Sequence, residues 1–443
     1  MNWKQLLSNK RFGLENLHEA RKEDRTEFQR DYDRLIFSAP FRRLQNKTQV
    51  FPLPGSIFVH NRLTHSLEVS CVGRSLGNKI ASELLKLHPE LHDTHISEIG
   101  SIVSAACLAH DLGNPPFGHS GEKAIGTYFS EGKGRTLQAY LSAKEWDDFT
   151  HFEGNANAFR LLTHQFQGRR PGGFVLTYAT LAAIVKYPFS SQLAGSKQKF
   201  GFFTSEEEAF QKIAHELGLK KISNEGEPLK YCRHPLVYLV EAADDICNQM
   251  MDIEDAHKLK ILTTQETKEL YLRFFAPEKL DHIQSICKMV DDTNEQIAYL
   301  RSSAIGVLIS ECVRTFILHE EEILKGEFQG TLIQKLSSRV REAYVNCSHT
   351  AFEKIYCSKD VVDSDLAGYH VLTTLVDLKI EAVRYPEKAY SQLLINRVSS
   401  QYHIQAPTLY EKIQAVLDYI SGMTDVYALD LYRKINGNSL PAL

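Results

Sequence analysis

The fifteen residues from Leu108 to Glu122, LAHDLGNPPFGHSGE, bring together side chains that bind cations. His110 and Asp111 end an apolar stretch, and His119 follows after a turn that is rich in proline and glycine. Imidazole and carboxylate groups are the common protein ligands of divalent metals. A metal site is therefore the first hypothesis, and the second His-x-x-Glu pair needs an explanation of its own.

Two other segments offer matching ligands. His65 lies on the apolar stripe of residues 63–87, where apolar side chains recur three and four positions apart, and Asp244 lies inside EAADDI in the segment 235–257. A single histidine on such a stripe is more often a core residue, but an unpaired buried carboxylate is strongly disfavoured. Four such residues on three helices therefore predict a metal site. This ligand set suits Mn²⁺, Fe²⁺, Mg²⁺ or Zn²⁺ and does not choose among them; we take Mn²⁺ or Mg²⁺ first, and Fe²⁺, Zn²⁺ and Ni²⁺ stay as alternatives.

Helical periodicity dominates the elements that must position these residues. Helical patterns continue after residue 260, near 265–275, 278–323, 330–356, 371–384, 386–396 and 408–421. Alternating patterns are scarce, and QVFPL and FGFFTS are at most short hairpin pieces. The sequence predicts an all-α protein. It comprises a helical core over residues 1–260 and a helical C-terminal region over 261–443, packed together without a clear linker.

Composition excludes several classes of protein. The chain has 443 residues, 43% of them hydrophobic, and eight cysteines without a CxxC pair, which disfavours a disulfide framework or a zinc–thiolate site. No signal peptide and no membrane span are expected, so we expect a cytoplasmic protein. The first fifty residues carry a net charge of +4 on a chain of net charge −4. This basic segment could contact phosphate groups, or it could form a solvated helix face.

Several motifs give a family resemblance. The pattern H…HD…D resembles the HD-domain metal-dependent phosphohydrolases, an all-helical group. The closer resemblance, over roughly residues 25–430, is to the deoxyguanosinetriphosphate triphosphohydrolases (dGTPases). It rests on NRLTHSLEV, HDLGNPPFGHSGE, FEGNANAFRLL, VKYP, KFGFF, EAADDICNQMMDIEDA and DYISGMTDVYAL.

The resemblance implies a role for each matching residue. The metal ligands would be His65, His110, Asp111 and Asp244. His119 and Glu122 match the catalytic pair of the family, in which the glutamate orients a histidine that exchanges a proton with the leaving oxygen. Asp245 competes with Asp244 as a ligand, and we favour Asp244 because its neighbours four and eight residues on form the expected helix face.

The resemblance also implies substrate contacts. Gln49 and Asp252 would read the sugar near its 3′-hydroxyl, with Asn248 between Asp244 and Asp252 on the same helix face. The family usually has tyrosine at that middle position, so asparagine weakens the expected exclusion of ribose. The remaining implied contacts are Arg62, Lys186 and Tyr187 at the triphosphate, and His151 and Asn155 at the sugar or behind the ligands.

The implied reaction is metal-dependent hydrolysis of deoxynucleoside triphosphates, with dGTP favoured, to deoxynucleoside and inorganic triphosphate, in control of the dNTP pool. The resemblance further implies a homo-oligomer, favouring a hexamer, and single-stranded DNA or a nucleotide as an effector. Two alternatives remain open: another HD-type nucleotide phosphohydrolase, and a nucleotide or single-strand DNA sensor with weak catalysis. A P-loop is absent from the sequence.

Overall fold

The computed structural model describes residues 1–15, 24–51 and 59–439, and it is built from helices. The α-helices of these ranges are α1 Trp3–Leu6, α2 Glu27–Ile36, α3 Ala39–Arg43, α4 Arg62–Leu87, α5 Ile99–Ala109, α6 Gly118–Ser130, α7 Ala143–Thr150, α8 Gly154–Thr163, α9 Tyr178–Ile184, α10 Glu207–Glu216, α11 Val237–Lys258, α12 Thr264–Leu272, α13 Pro277–Lys288, α14 Thr293–Leu318, α15 Glu320–Lys325, α16 Ser338–Ala351, α17 Lys359–Arg384, α18 Ala389–Asn396, α19 Leu409–Ser421 and α20 Asp425–Ile435. A π-helical turn, Phe352–Tyr356, joins α16 to the segment before α17. Short 3₁₀-helices occupy Leu44–Asn46, Pro89–Asp93, His95–Glu98, Lys133–Tyr140, Ser191–Leu193, Gly195–Lys197, Thr204–Glu206 and Ile333–Lys335.

Extended pairing is limited to isolated bridges in the part of the chain that the structure describes. FGFFTS contributes one bridge, between Phe202 and Ser190, and forms no hairpin. The prediction for QVFPL falls partly on Pro52 and Leu53, which lie outside the described residues. The predicted all-α fold is confirmed. None of the helices described is long and apolar enough to cross a membrane.

The predicted helices differ most from the structure in the C-terminal half. The predicted segment 278–323 is three helices, α13, α14 and α15. The second of them starts at a cap, where Asp292 accepts a hydrogen bond from the backbone N–H of Glu295. The helix predicted at 371–384 starts earlier, at Lys359. Its first three turns bury only Val361 and Gly368, so apolar periodicity is weak there.

Helices α4 and α5 pack against each other unusually closely, and this contact positions two of the predicted ligands. A Cβ atom added to Gly77 would lie 2.7 Å from the Cα of Gly100, so the two backbones nearly touch there. Further along the pair, the Ser70 hydroxyl donates to the Ser104 carbonyl oxygen at 2.9 Å. The same antiparallel register brings His65 beside His110, with 5.4 Å between the ring centroids.

Buried apolar side chains form two clusters. The larger is built around α4, α5 and α11 and also takes in α12, α14 and α16. The second lies between α6–α8 and α17–α20. Helices that precede residue 260 in the sequence and helices that follow it therefore both surround the predicted site. The domain boundary at residue 260 stays a prediction.

Candidate active site

A cavity of about 570 Å³ opens where α4–α6, α9, α11 and α17 meet. Its volume is in the range of small-molecule sites, which are typically about 300–1,000 Å³. Most of the predicted site residues line it: Gln49, Arg62, His110, Asp111, His119, Glu122, Asn155, Lys186, Tyr187, Asp244, Asn248 and Asp252. The structure thus brings residues from distant parts of the sequence to one space.

The four predicted metal ligands converge at the inner end of this cavity. The Oδ1 atom of Asp244 lies 3.1 Å from Nε2 of His65 and 3.4 Å from Nε2 of His110. Ligand atoms of His65, His110 and Asp111 all lie within 4.8 Å of one another. The ligands come from α4, the end of α5 and the middle of α11, so helix packing sets their spacing.

The hydrogen bonds around this cluster orient the Asp111 carboxylate and leave one ligand nitrogen, Nε2 of His110, without a hydrogen-bond partner among the described residues. Nδ1 of His110 donates to the carbonyl oxygen of Cys107 at 2.6 Å, which leaves Nε2 as the ligand nitrogen. This Nε2 is buried and makes no hydrogen bond with any described residue. Asp111 is oriented by Asn114, whose side-chain amide donates to Oδ1 at 2.5 Å, and by Arg62, which donates to Oδ2 at 2.7 Å.

The charges of the cluster also favour a cation. Burial opposes protonation of His110, but Asp111 and Asp244 together raise its pKa to about 9. Burial likewise opposes ionisation of Asp111, but Arg62 and His110 lower its pKa to about 2. A pocket that stabilises positive charge on Nε2 of His110 this strongly is suited to hold a divalent metal at the same point. The donor set of two imidazoles and two carboxylates fits such an ion.

The structure favours Asp244 over Asp245 as the fourth ligand. Asp244 contacts both histidines, whereas Asp245 is absent from the cavity lining described. Burial raises the pKa of Asp245 to about 7. Adjacent residues on a helix point about 100° apart, so only one of the two can face the cluster.

His119 and Glu122 stand at the start of α6, beside the metal cluster. The turn before α6 is tight, with φ of +61° at Phe117 and +56° at Gly118. Nδ1 of His119 donates to Oε2 of Glu122 at 2.8 Å, and the other carboxylate oxygen accepts the backbone N–H of Gly154 at 2.7 Å. The hydrogen bond that His119 donates to the Glu122 carboxylate raises the pKa of His119. The imidazole is 77% exposed, so its Nε2 is accessible to a ligand in the cavity.

The predicted sugar contacts form a chain of hydrogen bonds along α11. Nε2 of Gln49 donates to Oδ1 of Asn248 at 2.9 Å, and Nδ2 of Asn248 donates to Oδ1 of Asp244 at 2.7 Å. Asp252 accepts a hydrogen bond from the hydroxyl of Tyr356 at 2.5 Å, and burial raises the pKa of Asp252 to about 7. Asn248 therefore connects a predicted sugar contact to a predicted metal ligand.

The remaining predicted contacts divide into those that face the cavity and one that does not. Nζ of Lys186 pairs with Oε1 of Glu241 at 3.2 Å and lies 5.9 Å from the ring centroid of Tyr187. Asn155 faces the cavity while its side chain donates to Glu153 at 2.7 Å. His151 is not among the described lining residues, and its Nδ1 lies 3.1 Å from the carbonyl oxygen of Asp147.

Lys199 and Tyr356 are among the lining residues that were not singled out from the sequence. Nζ of Lys199 lies 2.6 Å from Oε1 of Glu153 and 3.7 Å from Oε2 of Glu122, and it adds a cation next to His119. Lys199 is the first residue of the motif KFGFF. That motif supported the family resemblance, but no role was predicted for the lysine itself. Tyr356 comes from the π-helical turn, a feature often found at functional sites, but the sequence pattern there is that of an ordinary helix.

Comparison with known proteins gives a consistent result. The family model of the HD domain matches residues 62–256, and that of the phosphohydrolase-associated domain matches residues 334–434. Proteins named deoxyguanosinetriphosphate triphosphohydrolase-like are 40% identical in Synechocystis sp. and 38% in Pseudomonas aeruginosa, over 99% and 100% of this chain and the full length of each relative. The deoxyguanosinetriphosphate triphosphohydrolase of Yersinia enterocolitica is 29% identical over 98% of this chain and 99% of its own. The similarity thus extends over the whole chain.

Proposed function

We propose the following activity for this chain, which belongs to the HD-domain deoxyguanosinetriphosphate triphosphohydrolase family: metal-dependent hydrolysis of deoxynucleoside triphosphates, with dGTP favoured, to a deoxynucleoside and inorganic triphosphate. Its membership makes the chain a phosphohydrolase. The finer proposal is carried by one observation. Nε2 of His110, which lies among carboxylates without making a hydrogen bond, and the accessible imidazole of His119 both line the same cavity.

His65, His110, Asp111 and Asp244 would hold the metal. A divalent ion bound there would supply Lewis-acid stabilisation of a phosphoryl oxygen and activation of a water molecule. Asn114 and Arg62 keep the Asp111 carboxylate oriented. Mn²⁺ or Mg²⁺ are the ions we propose first, since the donor set does not choose between them.

Three cations along the cavity are suited to the triphosphate. Nη1 of Arg62 is used by Asp111, but its buried Nε makes no hydrogen bond among the described residues and is left to donate. Lys186 is held by Glu241, and Lys199 by Glu153. Burial opposes the charge on Lys186, but Glu241 raises its pKa, so it stays protonated. Such preset cations stabilise the charge that develops on the phosphoryl oxygens during attack.

His119 supplies the proton for the leaving oxygen. A water oxygen bonds to the α-phosphorus as the bond from that phosphorus to the 5′-oxygen breaks, and Nε2 of the protonated His119 gives its proton to the 5′-oxygen. The attacking water loses one proton to solvent, and His119 regains a proton from solvent before the next turnover. Glu122 holds the imidazole through Nδ1 and raises its pKa, which favours the acid form of His119. The presence of both residues weighs against a sensor with weak catalysis.

We assign the sugar to Gln49, Asn248 and Asp252. Their amide and carboxyl groups are suited to a 3′-hydroxyl, and the small Asn248 leaves room that an aromatic ring would fill. By the same family relationship we propose a homo-oligomer, with a hexamer favoured, and a role in control of the dNTP pool. Sedimentation analysis of the purified full chain tests the assembly.

Product analysis tests the reaction. The purified chain is incubated with each of the four dNTPs and with Mn²⁺ or Mg²⁺, and the products are identified by chromatography and mass spectrometry. We expect a deoxynucleoside and inorganic triphosphate. In ¹⁸O-labelled water the label should enter a terminal phosphate of the released triphosphate and stay out of the nucleoside. Release of pyrophosphate and a nucleoside monophosphate would overturn the assignment.

A further inference from the structure

The turn between Asp111 and His119 is held by side chains from outside the HD motif. The side-chain amide of Asn157 donates to the carbonyl oxygen of Gly113 at 2.7 Å. Nζ of Lys47 donates to the carbonyl oxygen of Asn114 at 2.5 Å. The backbone N–H of Phe117 donates to Oδ1 of Asp425 at 2.9 Å. Three distant segments therefore fix the path of the turn 113–118.

Lys47 connects this turn to the C-terminal region. Its side chain is only 2% exposed, although a lysine is rarely buried without a specific reason. Besides the Asn114 bond, Nζ donates to the carbonyl oxygen of Ser421, the last residue of α19, at 2.8 Å. The lysine thus ties two backbone carbonyl groups together across a buried space.

Asp425, the first residue of α20, makes a second connection. Its carboxylate is 7% exposed. While Oδ1 accepts the N–H of Phe117, Oδ2 accepts the backbone N–H of Thr48 at 2.7 Å. Thr48 directly precedes Gln49, one of the proposed sugar contacts. A single carboxylate therefore links the turn that leads to His119 with the segment that carries Gln49.

The turn is conformationally strained at the residue that Asp425 holds. Phe117 has φ of +61°, a conformation that costs free energy for any residue other than glycine and persists only where the surroundings impose it. Its ring also lies directly against Gly368 of α17, since a Cβ atom there would be 2.5 Å from the ring Cγ. Both constraints on Phe117 come from the C-terminal helices.

We propose that Asp425 and Lys47 are positioning residues, which hold the turn 113–118 so that His119 reaches the leaving oxygen. This inference rests on the proposed function. It assigns part of the active-site geometry to residues that touch neither the metal ligands nor the cavity as described. Asp425 has a second effect through Thr48, because it also fixes the backbone beside Gln49.

A double-mutant cycle with His119 tests the inference in the full chain. Asp425→Asn keeps the shape of the side chain but replaces one acceptor oxygen by a donor. We expect kcat for dNTP hydrolysis to fall about 10–100-fold, since a displacement near 1 Å can have that effect. Bound metal should be unchanged. In a His119→Ala background the same substitution should lower kcat less than about 3-fold, because its effect acts through His119.

The change in KM distinguishes the hydrogen bond of Asp425 to Phe117 from its hydrogen bond to Thr48. A rise in KM that persists in the His119→Ala background is expected from the Thr48 connection. Lys47→Met, which removes only the bonds to Asn114 and Ser421, should lower kcat without that rise. Lys47→Met also tests the inference if Asp425→Asn fails to fold. As the matched control, Asp292→Asn at the exposed start of α14 should leave kcat and KM unchanged.

The outcomes distinguish this inference from the proposed function. An equal loss of kcat in both backgrounds, or no loss in either single variant, would contradict positioning through His119 even if the products are as expected. Loss of metal in Asp425→Asn and Lys47→Met would contradict it too. Products other than triphosphate and deoxynucleoside, or no hydrolysis by the wild-type chain, would overturn the proposed function and this inference with it.

Discussion

The two ends of the proposed catalytic cavity are built in different ways. The end proposed to bind metal uses residues of α4, α5 and α11, and α4 and α5 pack through close glycine and serine contacts. The His119 end stands on a strained turn whose backbone is held by Lys47 and Asp425. The first geometry belongs to the core, and the second depends on helices hundreds of residues away in sequence. Substitutions should therefore separate cofactor binding from proton transfer.

The largest effect is expected at the metal end. His65→Ala or Asp111→Ala should remove bound metal and reduce hydrolysis to the detection limit, because each substitution deletes one of four converging ligands. Metal content is measured by mass spectrometry after gel filtration, and activity on the same sample. Full occupancy in both variants would refute the ligand assignment.

Asp245→Ala is the matched control for this experiment, because the residue neighbours Asp244 without facing the cluster. It should keep the metal. Loss of metal in Asp245→Ala together with retention in Asp244→Ala would reverse the choice between the two aspartates.

At the His119 end the expected effect is smaller, and the metal should remain. His119→Ala should lower kcat by about 10²–10⁴-fold, the usual contribution of general acid–base catalysis. Because Glu122 acts through His119, the variant lacking both side chains should be little worse than His119→Ala alone. Steady-state kinetics with metal analysis checks this. A loss of metal equal to the loss of activity would show that the two ends are not separable.

The pH profile sharpens the role of Glu122. If protonated His119 is the acid, kcat falls as pH rises through the pKa of His119, which the hydrogen bond to Glu122 raises. Glu122→Gln weakens that bond to the charged imidazole, so the pKa should fall and the alkaline limb should move to lower pH. The kcat–pH curves of the two proteins measure the shift. A limb that stays in place would assign it to another group.

The smallest effect is expected at Asn248, which lies between the two ends. Asn248→Tyr should increase the ratio of kcat/KM for dGTP to that for GTP, since a ring there would crowd a 2′-hydroxyl. The substitution also removes the bonds from Asn248 to Asp244 and Gln49, so activity on both substrates should drop somewhat. Competition assays with both nucleotides give the ratio. An unchanged ratio would place sugar selection with Gln49 and Asp252.

The clustering of the proposed metal ligands could be predicted from the sequence because each of these residues has a local signal. His65 and Asp244 stand on apolar helical stripes, and His110 and Asp111 end one. The motifs that resemble the family then indicate that these four residues would bind one metal ion together. The same local logic predicted the all-α fold and the bounds of α4 and α11 to within two residues.

The rest depends on contacts that leave no local pattern. Tyr356 meets Asp252 across 104 residues, and Phe117 meets Asp425 across 308. Lys199 and Lys47 look like ordinary charged residues until the fold shows what surrounds them. The early start of α17 was missed because its first turns are largely exposed and lack an apolar stripe.

The glycine contact between α4 and α5 makes the ligand spacing depend on a place far from the metal. Gly77 is twelve residues from His65, which is about 18 Å along a helix. A larger side chain at Gly77 would have to push Gly100 away, and the wider helix pair would hold His65 and His110 farther apart. If the proposed ligands bind a metal, the distance between two of them is therefore set partly by a helix contact that involves no coordinating residue.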